Sequence, residues 1–335
     1  MSKAKDLNDQ AVDGTLPDDP AAGATVVSAD VARVLTVREI IQSAQQRAFE
    51  PRSRVSVCTT GNFEIDKVTG GFKPGFVTVF GADTSWGKSS FLIMVADDNI
   101  KAGRRVMIVS AEDSEKIYGD RLLLRRSKVH ADNLKQKKLS DSDWKAIVEA
   151  VRKSEDVPVY LDARGKPVEW VCKQTKRLIR EHKIDVVAYD YLQAFDNEKH
   201  QQDRRNQVSY IARVLTDSVK TEDVGGIIFS QITVEKGKPY PDKHSIRESR
   251  DVSNAAEVVM LGFTPDKPVT RGGVTLAQAG EKCILVDKCK DGPRGGVFVM
   301  PWDDDVACFK TVLDPEVQRF QQIVGDRFDD FGDPQ

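Results

Sequence analysis

The chain lacks any apolar run near the roughly 18 to 20 residues that a membrane-spanning helix requires, so no helical span is expected and no membrane partner. It also lacks an apolar core close to Met1. Asp6 and Asp9 fall among the opening residues instead, which is unlike a secretory signal. Cysteine is sparse and unpaired: the five thiols are Cys58, Cys172, Cys283, Cys289 and Cys308, an odd number with no C-x-x-C spacing. That pattern argues against a disulfide framework or a zinc site and for reduced thiols in a cytoplasmic setting. Cys283 and Cys289 are six apart on one predicted strand and are therefore expected on one face, as two small buried hydrophobes. An excess of one charge is missing too. Fifty Lys and Arg against 52 Asp and Glu give a net charge of −2, so bulk charge does not announce a nucleic-acid binder, although a local basic channel can still carry such binding.

What the chain does have is the balance of a globular protein, with 40% hydrophobic and 30% charged residues over 335 positions. Residues 1–34 are rich in Asp, Ala, Gly and Pro and are expected to form a disordered arm. Val37, Ile40, Ile41, Ala44 and Ala48 recur at helical spacing, which predicts a short amphipathic helix over Thr36–Phe49, within a linker of residues 35–50. That helix has no obvious surface of its own chain to cover. From residue 51 to 313 the pattern alternates between strands and helices. Strand-like runs are Val77–Phe80, Val106–Ser110, Val159–Leu161, Val186–Tyr189, Ile227–Ser230 and Val258–Phe263. Helical stretches are Ser89–Lys101, Trp144–Lys153, Trp170–His182 and Val208–Thr221. Apolar runs without alternation predict strands covered on both faces, hence an α/β fold with a mostly parallel sheet. Cys283–Lys290, Val297–Pro301 and Ala307–Val312 are separated by Gly, Pro and Asp turns and predict antiparallel hairpins at the end. Residues 314–335 form an acidic tail.

The strongest local signal is the loop after the first strand. Gly81, Ala82, Asp83, Thr84, Ser85, Trp86, Gly87, Lys88, Ser89 and Ser90 lie between a strand and a helix, the setting a phosphate-binding loop requires. Backbone N–H groups of such a loop, and the helix N-terminus behind it, face phosphate oxygens. Gly87 permits close backbone approach, Lys88 reaches the β- and γ-phosphates of ATP, and the Ser89 hydroxyl serves Mg²⁺. The usual first glycine position holds Ala82. Asp190 ends the run Val186–Tyr189 and is expected to hold a water on Mg²⁺. Glu112 follows the strand Val106–Ser110 and can orient and deprotonate an attacking water, with Asp113 and Glu115 as competitors. Gln231 ends a further strand, where an amide can report the presence of a γ-phosphate.

With these residues placed, the chain resembles the DnaB-type replicative helicases of the RecA superfamily over roughly Thr36 to Val312. Thr60–Gly75 is similar to that family's entry to its first core strand, Ser110–Glu112 to its Ser-Leu-Glu segment, Asp190–Gln193 to its Walker B segment and Ser230–Gln231 to its sensor. The resemblance implies a RecA-like core. It implies further roles for Arg121 near the γ-phosphate, and for Arg247, Glu248 and Arg250 in a loop tracking the phosphates of single-stranded DNA. Arg250 stands where the family has glycine. Lys288–Pro293 resembles a hairpin whose cations reach a neighbour's γ-phosphate, with Lys290 at the finger position, Lys288 before it, and Arg294 as a candidate substitute. An ammonium lacks the fork of a guanidinium, so support from Lys290 is expected to be weaker.

The family usually carries a helical collar before the linker, and the chain looks like a version stripped of it. The expectation is an ATP-driven DNA helicase or translocase acting in replication. It would form a homo-oligomeric, hexameric ring in a bacterial or phage-infected cytosol, with primase, polymerase or a loader as partners. A nucleotide-switched filament or scaffold that binds DNA or a partner without unwinding is the alternative.

Overall fold

The computed structural model describes residues 57–315 apart from 84, 158, 198–203, 234–239, 243–244, 247–249 and 294. At 250 and 251 it describes the backbone alone, and it also describes residues 37, 38, 41, 42 and 45. The chain divides into two units, Met1–Val55 and Ser56–Gln335. In the first, residues 37, 38, 41, 42 and 45 are helical and exposed, in keeping with the amphipathic helix expected there. The arm at 1–34 and the tail beyond 315 lie outside the described residues.

The second unit is built on one eight-stranded sheet. Its parallel strands are β1 (Val77–Ala82), β2 (Val106–Ser110), β3 (Tyr160–Asp162), β4 (Val186–Asp190), β5 (Gly225–Gln231) and β6 (Val258–Phe263). Two antiparallel strands, β9 (Cys283–Cys289) and β10 (Gly296–Val299), extend the β6 edge, giving the spatial order β10-β9-β6-β1-β5-β4-β2-β3. Small ladders join β7 (Val269–Arg271) to β8 (Val274–Ala277) and β11 (Trp302–Asp303) to β12 (Cys308–Phe309). The expected class, a mostly parallel α/β sheet with antiparallel hairpins at the end, is what the chain forms.

The physical reason lies in the unalternating runs. Every residue of β1, β2 and β4 is buried, because helices cover both faces. On one face Val77, Val79, Val187 and Tyr189 pack with α6 (Val168–His182), α7 (Arg204–Glu222) and α8 (Arg250–Ala255). On the other, Phe80, Ile108, Ala188 and Phe229 pack with α1 (Phe63–Thr69), α2 (Lys88–Lys101) and α3 (Glu115–Ser127). Two more helices, α4 (Ala131–Gln136) and α5 (Asp141–Arg152), follow α3.

Most expected helices begin a few residues earlier than their apolar periodicity. α5 starts at Asp141 because Ser140 and Asp143 form a reciprocal capping box, and α6 starts directly after Pro167. The first turn of α5 is polar and capped, so hydrophobic spacing does not register it.

One expectation is overturned. Cys283 and Cys289 do not share a face, since Cys283 packs in the core beside α6 to α8 whereas Cys289 packs on the α1 side and donates to the Val68 carbonyl. The cause is a bulge: Lys288 pairs with Val259 but Val286 pairs with Met260, so Asp287 is extra and inverts the alternation behind it. Both thiols remain small packing groups, and Cys283 is fully buried. Of the expected strand Ala307–Val312, only Cys308 and Phe309 form a ladder, and Val312 makes a lone bridge to Asn62.

A buried ionic cluster locks α2 to α3. Asp97 is fully buried on α2, and its Oδ2 accepts from Arg125 Nε at 2.9 Å and Lys101 Nζ at 2.7 Å while its Oδ1 accepts from Arg126 Nε at 2.7 Å. Arg125 also bonds Asp98, the Phe309 carbonyl and Thr311, which ties the last strand into the same knot. Burial pushes the Asp97 carboxyl up, but the bonds from Lys101 and Arg126 outweigh it and hold it below the usual carboxylate range. A depressed carboxylate stabilises the fold fully at neutral pH, and that stabilisation is lost as pH falls through its folded-state value. Asp97→Ala should therefore destabilise the fold, by up to about 3–5 kcal/mol, because it removes the carboxylate shared by Arg125 and Arg126 and leaves them only Asp98 and Glu155. In acid-denaturation curves Asp97→Asn should flatten the loss of stability below the carboxylate range, and a variant whose curve keeps the parent's slope would count against this assignment.

Candidate nucleotide-binding site

The loop leaving β1 turns at Gly87, whose φ of 107° is left-handed backbone that suits glycine. A Cβ there would lie 3.3 Å from Phe309 Cε2 and 3.5 Å from Trp302 Cζ3, so the turn is crowded by side chains from β11 and β12. Trp86 is the loop's anchor. Its ring is buried with Phe80, Phe91 and Phe309, its indole N–H donates to the Phe263 carbonyl at 3.1 Å, and it lies flat on Gly262. Its own carbonyl accepts from Lys282 Nζ at 2.8 Å. Trp86 therefore offers the loop its backbone, while its side chain holds the loop to β6.

Lys88 opens α2 and is only 7% exposed. Its ammonium reaches the carbonyls of Ala82 and Asp83 at 3.2 and 3.3 Å, and burial lowers its pKa against the pull of Asp190, Glu112 and Asp83. Ser89 Oγ donates to Asp113 Oδ2 at 3.2 Å. The Ser90 hydroxyl turns away from the loop mouth, donating to the Ala307 carbonyl and accepting from Arg121 at 2.7 Å. Thr84 lies outside the described residues.

The carboxylates expected here converge. Asp190 is 1% exposed at the end of β4, and burial pushes its carboxyl up, opposed first by a hydrogen bond from Tyr118. Glu112 is exposed and is raised above the ordinary glutamate range by desolvation, then by Asp190 and Asp113, with Lys88 opposing. Its two competitors are otherwise engaged. Asp113 holds the Ser89 hydroxyl, and Glu115 lies 3.7 Å from Arg164. Gln231 sits opposite Ala82, and its N–H donates to Gln193 Oε1 at 3.2 Å while Gln193 Nε2 donates to Ser230 Oγ at 2.9 Å. Gln193 thus links the ends of β4 and β5. Tyr118, Gln193 and Lys282 were not singled out from the sequence: Gln193 lay inside the Walker-B-like segment, and the other two carry no local signal.

Two observations fit this cradle to a phosphate and a hard cation. Arg121 Nε is buried with no hydrogen-bond partner among the described residues. The donor set of one hydroxyl and one carboxylate suits Mg²⁺, which keeps waters and shares phosphate oxygens.

The hairpin lysines separate. Lys288 Nζ caps the end of α8 through the carbonyls of Ser253, Asn254 and Ala256 at 3.0, 3.0 and 2.6 Å, so it does not project beside Lys290. Lys290 is exposed, and its N–H bonds Glu257. Arg247, Glu248 and Arg294 lie outside the described residues, and Arg250 is the first residue of α8.

The family described as the DnaB-like helicase C terminal domain matches residues 58–311. This chain belongs to that family. It is 27% identical over 247 residues to the replicative DNA helicase DnaC of Bacillus subtilis (strain 168), covering 71% of this chain and 53% of that protein. It is 26% identical over 250 residues to the replicative DNA helicase DnaB of Leifsonia xyli, covering 72% and 53%. The chain thus spans about half the length of the curated relatives it matches. A solved DnaB-like replicative helicase, studied with primase, superposes with a TM-score of 0.70 at 20% identity over 84% of this chain and 68% of that one. A solved ATPase domain gives 0.71 at 20% identity over 83% and 99%. These two establish the RecA-like fold that the resemblance implied.

For this family member the turn at Gly87 is a stringent test of the site. Gly87→Ala should lower stability by about 1–3 kcal/mol through the strained φ and should weaken nucleotide binding by closing the loop on Phe309. Unchanged thermal midpoint and unchanged affinity for a fluorescent ATP analogue would contradict that geometry.

Proposed function

We propose that this chain is an ATP-driven DNA helicase motor that moves on single-stranded DNA during replication, working as a homo-oligomeric ring. The observation carrying this reading is the convergence of Lys88, Ser89, Asp190, Glu112 and Gln231 on one sheet edge in a member of the DnaB-like family.

The roles follow from chemistry. Lys88 leaves the carbonyls of its own loop to face the β- and γ-phosphates, and Arg121 brings its unpartnered Nε to the same charge. Ser89 and Asp190 hold Mg²⁺, which when bound neutralises phosphate charge. Glu112 orients water and accepts its proton, and its raised pKa brings it closer to the working pH that favours a general base. Gln231, whose backbone N–H is held by Gln193, passes the state of the site from the end of β5 into the segment that leads to Arg247, Glu248 and Arg250, which we assign to the DNA backbone.

Assembly has support in surfaces that the described residues leave bare. Val37 and Ile41 are 74% and 62% exposed in the first unit, and Trp144, Val148 and Val151 form an exposed stripe along α5 in the second. Each is the kind of apolar face that a neighbouring copy covers. Primase, polymerase or a loader are the partners this reading implies, in a cytoplasmic setting; no helix among the described residues is long and apolar enough to cross a membrane.

Unwinding of a forked duplex with a 5′ tail tests the whole reading. Lys88→Ala should abolish both hydrolysis and unwinding. Glu112→Gln should keep ATP binding and slow hydrolysis by roughly 10²–10⁴. ATP-dependent DNA binding without strand separation would instead favour a scaffold.

Lys290 tests the shared interface. Exposed on its hairpin while Lys288 is consumed in capping α8, it is assigned as the cation offered to a neighbour's γ-phosphate, with a smaller effect than the 10³–10⁵ of arginine fingers. Lys290→Ala should bind ATP normally and hydrolyse it slowly. Mixing it with Lys88→Ala subunits should restore activity, and co-assembled mixtures that stay inactive would refute a site shared between subunits.

A further inference from the structure

Beyond the residues that touch nucleotide, one side chain stands behind both the metal carboxylate and the loop of the base. Tyr118 lies on α3, three residues before Arg121, so both side chains leave the same face of the helix toward the site. It is 4% exposed, and its ring lies 5.6 Å from that of Tyr160. The phenol donates to Asp190 Oδ2 and approaches Ser110 Oγ at 3.4 Å.

Ser110 Oγ in turn accepts from the Asp113 N–H at 3.0 Å, and Tyr160 donates to the Asp113 carbonyl at 2.8 Å. Ala111 N–H bonds the Asp190 carbonyl at 2.8 Å. Glu112 is therefore strung between two residues whose backbones are tied down, and the knot that ties them meets at the Tyr118 hydroxyl.

We propose that Tyr118 is a positioning residue for Mg²⁺: by donating to Asp190 Oδ2 it fixes the carboxylate rotamer and so the direction in which Oδ1 is offered to a metal. The inference rests on the nucleotide reading above. Between the ordinary carboxylate and phenol ranges the phenol keeps its proton, so it is the donor of this bond and the carboxylate of Asp190 the acceptor. A hydrogen bond to a charged group is among the stronger single contacts in a protein, and its loss leaves a buried carboxylate with one fewer donor. An aliphatic residue at 118 would fill the same space and hold neither Asp190 nor Ser110. The tyrosine hydroxyl is what makes this helix part of the site rather than only part of the core.

The test is a Mg²⁺ titration of fluorescent ADP binding to the full chain, with thermal unfolding alongside. Tyr118→Phe keeps the ring and removes only the donor. It should raise the Mg²⁺ concentration needed for half-maximal enhancement about tenfold, leave binding in EDTA unchanged, and lower kcat more than it raises KM for ATP. In an Asp190→Asn background the same change should add nothing, because the acceptor charge it serves is gone. A Tyr118→Phe protein with a lower unfolding midpoint but the parent's Mg²⁺ dependence would reduce Tyr118 to a packing role and overturn the proposal. Equal, additive losses in the two backgrounds would overturn it as well. A parent protein that binds ADP with no Mg²⁺ enhancement would instead bring down the nucleotide reading itself, and this assignment with it.

Discussion

The parallel register of four central strands is the constraint on which the site depends. Ala82 lies opposite Gln231, and Ser110 lies opposite Asp190, so β1 and β5 end together and β2 and β4 end together two residues short of them, all at the same edge of the sheet. A parallel ladder sends every chain out of the sheet on the same side, and each exit delivers one polar group there. The period of two makes this unforgiving. A slip of one residue in β4 would carry Asp190 to the opposite face, away from Tyr118 and Lys88. β1, β2 and β4 are buried along their whole length, so a slip would draw a polar end residue such as Asp190 further into the covered sheet, and that cost holds the register.

Holding charge at that edge works against solvation. Lys88 and Asp190 are both buried, and burial disfavours the charged form of each, lowering one pKa and raising the other. Their mutual attraction offsets part of the cost, and the rest is met by the surroundings: a hydroxyl on Asp190 and two loop carbonyls on Lys88. A loop so loaded would relax unless something held its shape. The aromatic packing of Trp86 with Phe80, Phe91 and Phe309 holds one side, and the Asp97 cluster fastens the helix behind it to α3 and to the end of the chain. Residues from β12 therefore contribute to a site whose loop leaves β1, far earlier in the sequence.

Much of the architecture was legible before any coordinates. The Gly87-Lys88-Ser89 loop between strand and helix, the strand-ending Asp190, the positions of Glu112 and Gln231 and the antiparallel close all follow from local chemistry: glycine at a left-handed turn, unalternating runs for buried strands, polar residues where strands stop. These signals are short in range, and the fold repeats them faithfully. A polar, capped first turn hid the start of α5, because a cap stabilises a helix without any apolar periodicity.

What the residues alone determined, then, is which segments become strands and which groups stand at their ends. The tertiary structure decided who faces whom. A single extra residue at Asp287 put Cys283 and Cys289 on opposite faces, which spacing could not foretell because a bulge is set by the partner strand. Lys288 went to the carbonyls of α8, whose position depends on packing against α7 and β1. Tyr118 reads along the chain as an ordinary helical aromatic, and it meets Asp190, 72 residues away, only because α3 lies across the carboxyl ends of β2 and β4. Local propensity acts through neighbours in sequence, whereas a buried hydroxyl finds its acceptor through the whole core, and the second kind of information exists only once the chain has folded.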